Sequence, residues 1–170
     1  MVILETERLL LRESVEDDAQ DFFDLTNDPE VMKYTGDVVF KSVEETRNLI
    51  RNYEDYQKNS YGRWSTIIKD TNEIIGWCGL KYIKEIDETD LGFRFKKKYW
   101  NKGYATEASI ACLELGFNKH KLDQIVGQVY KEHAASRRVL EKVGMSFWKE
   151  LYDDDESWLV YGIKKEDFRP

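Results

Sequence analysis

Apolar residues recur along this chain with two different periods, and the alternation between them predicts its elements. The run Leu9-Leu10-Leu11, flanked by Arg8 and Arg12, is short and reads as a strand. Behind Ser14, the residues Val15, Ala19, Phe22 and Phe23 fall at helical spacing, which predicts a helix capped by Ser14. Asp28-Pro29 interrupts it. Ser42 and Glu45 have the spacing of a capping box, and the helix they open carries Leu49, Ile50, Tyr53 and Tyr56 on one side.

The period then falls to two. Arg63–Lys69 places Trp64, Thr66 and Ile68 on one face, Asp70-Thr71-Asn72 turns the chain, and Ile74–Tyr82 forms the next strand. Asp87-Glu88-Thr89 separates that strand from a third over Asp90–Phe95, giving a β-meander. Helical spacing returns after Gly103 with Tyr104, Ala108, Ala111, Cys112 and Leu115, and Gly116 and Asn118 end this helix. Leu122–Tyr130 is strand-like. Ser136, Val139, Leu140 and Val143 form another helical face, stopped by Gly144. Two last strands, Met145–Leu151 and Ser157–Ile163, flank the acidic turn Asp153-Asp154-Asp155. The expected order is β-α-α-β-β-β-α-β-α-β-β: a mixed α/β (α+β) fold around one sheet, with residues 1–170 as a single domain.

Composition narrows the classes. Apolar residues make up 41% of the chain and the 35% charged residues are interspersed, which argues against disorder. The net charge of −7 argues against a general nucleic-acid binder, which needs a basic face. No apolar run approaches the length of a membrane span, and the first residues do not resemble a signal peptide. Cys78 and Cys112 are far apart with no paired-cysteine spacing, so no zinc site or other metal is expected. That usage fits a reducing, cytoplasmic setting. Each cysteine reads as a small buried apolar residue rather than a nucleophile.

The stretch that carries chemistry is Tyr99-Trp100-Asn101-Lys102-Gly103-Tyr104-Ala105-Thr106. A strand ends, a short loop with one glycine follows, and a helix of small residues begins. The first turn of a helix has amides without intrahelical partners and a positive dipole end, so a phosphate can sit there. Gly103 and Ala105 leave its backbone approachable, and Lys102 adds charge. A single glycine before a helix is common, and alone it is weak support. No nucleotide-binding G-x-x-x-x-G-K-[ST] loop and no dinucleotide G-x-G-x-x-G turn is present.

Trp100-Asn101-Lys102-Gly103-Tyr104-Ala105 resembles the acetyl-CoA pyrophosphate loop Q/R-x-x-G-x-G/A of GNAT N-acetyltransferases, with Trp100 in the Gln/Arg place. The longer string through Thr106 is similar to the RimJ/RimL-type branch. Other strings match that branch in order: Glu5-Thr6-Glu7-Arg8-Leu9, Asn27-Asp28-Pro29-Glu30-Val31, Ile75-Gly76 with Gly79-Leu80, and Ala135–Gly144. The resemblance spans nearly the whole chain.

It implies acetyl transfer from acetyl-CoA to a primary amine, either a protein N-terminal α-amine or a small-molecule amine, by direct attack through a tetrahedral intermediate. The strand Leu91–Phe95 would splay from its neighbour, so that Phe93, Arg94 and Phe95 face the cofactor through their backbone. An N–H aimed at the thioester oxygen would act as an oxyanion hole. Asn101, Lys102, Gly103, Tyr104, Ala105 and Thr106 would hold the pyrophosphate. Asp90 stands where this family often has Glu and is a candidate base; its alternative is a solvated turn carboxylate. Ser136 is expected at the CoA sulfur or as proton donor, its alternative being a helix-capping hydroxyl. Tyr130 is a second candidate acid. His133 replaces the usual Asn; it cannot copy both amide functions, yet a titratable group there can serve as a base. Tyr34, Trp77 and Tyr161 would line the amine pocket, and Asp153–Glu156 would attract a cation if it is more than a solvated hairpin turn. Two rival readings share the loop: a non-catalytic acyl-CoA-binding sensor or scaffold, toward which only His133 leans, and a phosphate-binding domain unrelated to CoA.

Overall fold

A computed structural model describes residues 1–153 and 155–170. It contains an eight-stranded sheet in the order β1-β2-β3-β4-β5-β6-β8-β7. Neighbours are antiparallel except β5 and β6. The strands are β1 Val2–Glu5, β2 Leu9–Arg12, β3 Arg63–Ile68, β4 Ile74–Ile83, β5 Glu88–Phe95, β6 Gln124–Tyr130, β7 Ser146–Asp153 and β8 Glu156–Lys164. The helices are α1 Ala19–Thr26, α2 Pro29–Met32, α3 Val43–Arg51, α4 Asp55–Asn59, α5 Tyr104–Asn118 and α6 Ala134–Lys142. The expected β-meander is present as β3-β4-β5. No helix of the described residues is long and apolar enough to cross a membrane.

Several expected boundaries are corrected. The opening strand is half of a hairpin, because Val2–Glu5 pairs with Leu9–Arg12. Ser14 does not cap a helix: its hydroxyl hydrogen-bonds Ser65 Oγ at 2.9 Å, and a 3-10 turn at Glu16–Asp18 precedes α1. Val15 is exposed, and the buried face of α1 is Ala19, Phe22 and Leu25. Asp28 caps the extra turn α2 by accepting from the Glu30 amide, with Pro29 in its first turn. Ser42 does accept from the Glu45 amide at 3.1 Å, but the Glu45 carboxylate turns to the Lys41 amide.

The helix expected to carry Leu49, Ile50, Tyr53 and Tyr56 ends at Arg51, and Leu49 is exposed. Tyr53 and Tyr56 instead hold the first residue of β3: Tyr53 Oη accepts from the Arg63 amide at 2.9 Å, and Tyr56 Oη donates to the Arg63 carbonyl. Glu88 and Thr89 are strand, not turn. Gly116 lies inside α5, where a Cβ would come within 2.7 Å of Ile125 Cδ1. Of the acidic turn, Asp154 lies outside the described residues.

The larger core packs α5 on the sheet through Leu80, Leu91, Ala108, Cys112, Leu113, Phe117 and Ile125. Cys78 and Cys112 are free and buried there, with sulfurs 3.7 Å apart, and burial pushes the Cys112 thiol pKa up. That environment fits inert packing rather than a nucleophile. A smaller cluster, Phe22, Leu25, Val31 and Met32, packs with Trp77 of β4.

A buried polar knot ties the segment before α1 to the sheet. Asp18, 2% exposed, accepts from Arg12 Nη1 and Nη2 at 2.7 Å each, from Ser65 Oγ at 2.7 Å and from the Val15 amide at 3.0 Å. Burial raises its pKa, but these donors outweigh burial and hold it below the ordinary Asp value. A depressed carboxylate pKa contributes stability that is present above the unfolded-state value and is lost as pH falls through the folded one. Asp18→Ala leaves a largely buried cation without its partner and is expected to cost about 3 kcal/mol at neutral pH. The gap between the thermal melts of the two proteins should narrow as pH falls below about 4 and close only below the lower folded-state value. A stability gap independent of pH would mean that Asp18 acts by packing and not by charge.

Candidate functional site

The site begins at an interruption in the sheet. β5 and β6 pair only through the parallel bridge Asp90–Val126. Beyond it, Leu91–Phe95 pair with β4 alone, while Gly127–Tyr130 pair with β8. The facing edges of two central strands are therefore free of each other, and their backbone groups need other partners.

Asp90 sits at the closed end of this gap. It is 7% exposed, so it is not a solvated turn carboxylate. Its Oδ2 accepts from Arg63 Nη2 at 2.5 Å, and Oδ1 accepts from the Gln128 amide of β6 at 2.9 Å. Arg63 Nη1 also donates to the Gly79 carbonyl at 2.7 Å. Burial pushes the Asp90 pKa up; Arg63 and the Gln128 amide oppose that without cancelling it. The Arg63 side chain lies where a residue larger than Gly92 would place its Cβ, 2.6 Å from Arg63 Cζ.

Trp77 lies between two cations, its ring centre 5.1 Å from Arg63 Cζ and 5.2 Å from Arg94 Cζ. Arg94 also pairs with Asp37 in the loop after α2. Its side chain is thus committed away from the gap, and only its backbone is available to a ligand there. At the far end, Tyr34 stacks on Tyr130 with ring centres 5.6 Å apart and lies 5.0 Å from His133. Trp158 meets Tyr130 edge-on. The Tyr130 hydroxyl has no protein partner among the described residues.

His133 precedes the first turn of α6, and its Nε2 lies 3.2 Å from Ser136 Oγ. Ser136 makes this bond and no capping bond. His133 is half-buried, not a surface substitution, and burial lowers its pKa. It is therefore neutral near pH 7 and able to accept a proton.

Tyr161 is corrected. It is 3% exposed, and its hydroxyl donates to Glu141 at 3.0 Å and accepts from Arg137 Nε at 3.3 Å. It fixes α6 to β8 within the main core, apart from the Tyr34 and Trp77 rings.

The loop meets the gap where β5 ends. Trp100 Nε1 donates to the Phe95 carbonyl at 2.8 Å, tying the loop to that strand. Asn101 and Gly103 both have positive φ, 59° and 81°. Among the described residues, no amide from Asn101 to Thr106 donates to a protein acceptor, whereas the Glu107 amide closes the first bond of α5 onto the Gly103 carbonyl. The result is a concave run of free donors at the positive end of α5. Lys102 and Asn101 are exposed beside it, Tyr104 packs against Tyr99, and Ala105 and Thr106 are half-buried.

Sequence reasoning missed Arg63, Gln128 and Trp158, which carry no local motif. It also missed that Thr6, Arg8 and Glu107 meet. Thr6 Oγ1 donates to Glu107 Oε1 at 2.6 Å, as does the Arg8 amide at 2.9 Å, and Arg8 Nε donates to Oε2 at 2.6 Å. Burial works against the charge of Glu107, but these donors outweigh it and hold its pKa low. Thr6 and Arg8 stand inside a motif string already quoted and Glu107 follows the loop string directly, yet nothing in those strings says that they touch.

Comparison with known proteins agrees with this geometry. The family described as "Acetyltransferase (GNAT) domain" matches residues 8–146. The chain is 34% identical over 152 residues to the uncharacterized N-acetyltransferase p20 of Bacillus licheniformis, covering 88% of this chain and 84% of that one. The crystal structure of a GNAT-family acetyltransferase from Bacillus anthracis superposes with a TM-score of 0.81 at 33% identity, covering 98% and 99% of the two chains. RimL, the ribosomal L7/L12 α-N-protein acetyltransferase in complex with coenzyme A, has a TM-score of 0.82 at 16% identity over 96% and 98%, which shows a shared fold.

The Gly92–Arg63 contact is testable without a ligand. Gly92→Ala forces the guanidinium to shift, and where that shift breaks its bond to Asp90 the overpacking costs about 1–3 kcal/mol. Chemical denaturation should show that loss in Gly92→Ala. Full stability in Gly92→Ala would mean that Arg63 reaches Asp90 by another path.

Proposed function

The chain belongs to the GNAT acetyltransferase family, and from that premise we propose that it transfers the acetyl group of acetyl-CoA to a primary amine, of a protein N-terminus or of a small molecule. The observation that carries this reading is the run of free amides from Asn101 to Thr106, set where the unpaired edge of β5 ends. A diphosphate fits such donors, and an extended amide-bearing chain fits a strand edge. Phe93 and Phe95 serve the pantetheine arm through their backbone, and an N–H of this edge stabilises the charge that develops on the thioester oxygen.

The attacking amine is neutral, and one proton passes from its nitrogen to the departing sulfur. Ser136 and His133 are suited to carrying it, as a hydroxyl bonded to a neutral imidazole 3.2 Å away. Tyr130 offers a second hydroxyl. Asp90 is the other proton acceptor, its pKa raised by burial. The acceptor amine enters past Tyr34 and Trp77. The finer assignment to the RimJ/RimL-type branch, with a protein α-amine as acceptor, rests on the ordered motif strings.

Thiol release from acetyl-CoA, measured with a panel of small amines and N-terminal peptides, tests the reaction. Release that no amine accelerates, from a folded sample that binds acetyl-CoA, would favour the sensor module. Gly103→Val tests the loop. Its backbone conformation disfavours any side chain, and a Cβ there comes 3.3 Å from Arg8 Nη2. Calorimetry should show acetyl-CoA binding severely weakened in Gly103→Val and less so in Lys102→Ala, which keeps the donors. Equal binding by Gly103→Val and the parent would remove the phosphate from this loop. Ser136→Ala should lower kcat by roughly ten- to ten-thousand-fold, with little change in acetyl-CoA affinity. An unchanged kcat would leave Ser136 as a partner of His133 alone.

A further inference from the structure

The turn of the first hairpin brings an arginine to the mouth of the loop. Arg8 is held on three sides: Nε donates to Glu107 Oε2 at 2.6 Å, Nη1 donates to the Lys102 carbonyl at 2.9 Å, and the guanidinium carbon lies 4.4 Å from the centre of the Tyr104 ring. Thr6 and the Arg8 amide fix Glu107 in turn. Nη2 alone has no protein acceptor among the described residues, and it lies 3.3 Å from where a Cβ on Gly103 would stand. The side chain remains 42% exposed.

These contacts exceed what a surface ion pair needs. An arginine whose only task was to neutralise Glu107 would turn its paired nitrogens toward the carboxylate. Here one edge is spent on Glu107, one nitrogen on the loop carbonyl, and the last on nothing. The orientation is fixed before any ligand arrives, and it adds a full positive charge beside amides that carry only partial charge. A charge-assisted hydrogen bond from a pre-oriented guanidinium is among the strong ones.

We propose that Arg8 is a ligand of the pyrophosphate of acetyl-CoA, reaching over Gly103 from the first hairpin, with Glu107 and Thr6 as its positioning residues. The proposal rests on the acetyl-CoA reading above and extends it to a residue on a different element. It also gives Gly103 a second task, because a side chain there would crowd Arg8 as well as strain the backbone.

The test compares CoA, 3′-dephospho-CoA and pantetheine by calorimetry in the parent, Arg8→Met and Arg8→Lys. Arg8→Met keeps an unbranched stem over Tyr104 and removes the fork. It should bind CoA and dephospho-CoA roughly ten- to a hundredfold more weakly, the range of one charged hydrogen bond, and pantetheine as the parent does. Arg8→Lys keeps the charge without the fork and should fall between; it also carries the test if Arg8→Met does not fold. Three results would overturn the proposal. Equal losses for all three ligands would place the effect of Arg8 outside the pyrophosphate. A loss for CoA but not dephospho-CoA would move its contact to the 3′-phosphate. Unchanged CoA binding in both variants would remove it from the site. A parent that binds neither CoA nor dephospho-CoA is a separate failure, of the acetyl-CoA reading itself, and takes this proposal with it.

Discussion

Two adjacent strands in the middle of this sheet share a single bridge, and most of what is distinctive in the molecule follows from that interruption. Buried backbone groups must find partners, so an open gap between β5 and β6 needs a way to close at one end and a ligand or water along the rest. Asp90 closes it. Its carboxylate takes the Gln128 amide of β6 on one oxygen and Arg63 on the other. Arg63 then needs room, which Gly92 leaves it, and a fixed starting point, which Tyr53 and Tyr56 give β3 at its first residue. A carboxylate this buried is tolerable only with such partners. The same ion pair that stabilises the closed end therefore defines where the open end begins.

The open end leads directly to the proposed anion site. β5 ends at Phe95, Trp100 hooks the loop back onto that residue, and α5 starts with its free amides facing outward. The protein has a net charge of −7, yet the donors gathered here include the α5 dipole, Arg8 and Lys102. An overall acidic molecule can hold an anion when local charge and oriented amides dominate the short-range field, because distant charges are screened over about 10 Å. The bulk charge carries no information about this corner.

The parts of the fold that were legible in the sequence are those written in local periods. The meander, α5 and α6 each lie in one continuous pattern, and their limits were read to within a few residues. The failures have a common physical form. The strand Val2–Glu5 is short and has no fully buried residue, so it shows no alternation to detect. Ser14 has the chemistry of a cap, but a tertiary partner, Ser65, claimed its hydroxyl. Tyr53 and Tyr56 sit at helical spacing and are used as hydrogen-bonding posts instead. Tyr161 looked like a pocket wall because strand position alone does not say which face a side chain takes. The free amides of the loop were readable because a glycine and a helix start announce them. Arg63 was not readable, since its meaning lies in a carboxylate 27 residues away.

Arginine forks stand at both ends of the proposed cofactor path, and they do the same kind of work. Arg63 spans β3, β4 and β5 by donating to a side chain and to backbone carbonyls at once. Arg8 spans the first hairpin, α5 and the loop in the same manner. A lysine could supply either charge but not the fixed directions, because its ammonium is a point charge on a flexible stem. In both places the guanidinium stiffens backbone that regular pairing has left loose: a strand edge without its neighbour, and a loop with two residues at positive φ. Binding a long, flexible ligand such as acetyl-CoA already costs the ordering of many bonds. A site that had to order its own strand edge and loop as well would bind it weakly, so rigidity at these two points is what would let free backbone amides serve as the proposed binding surface.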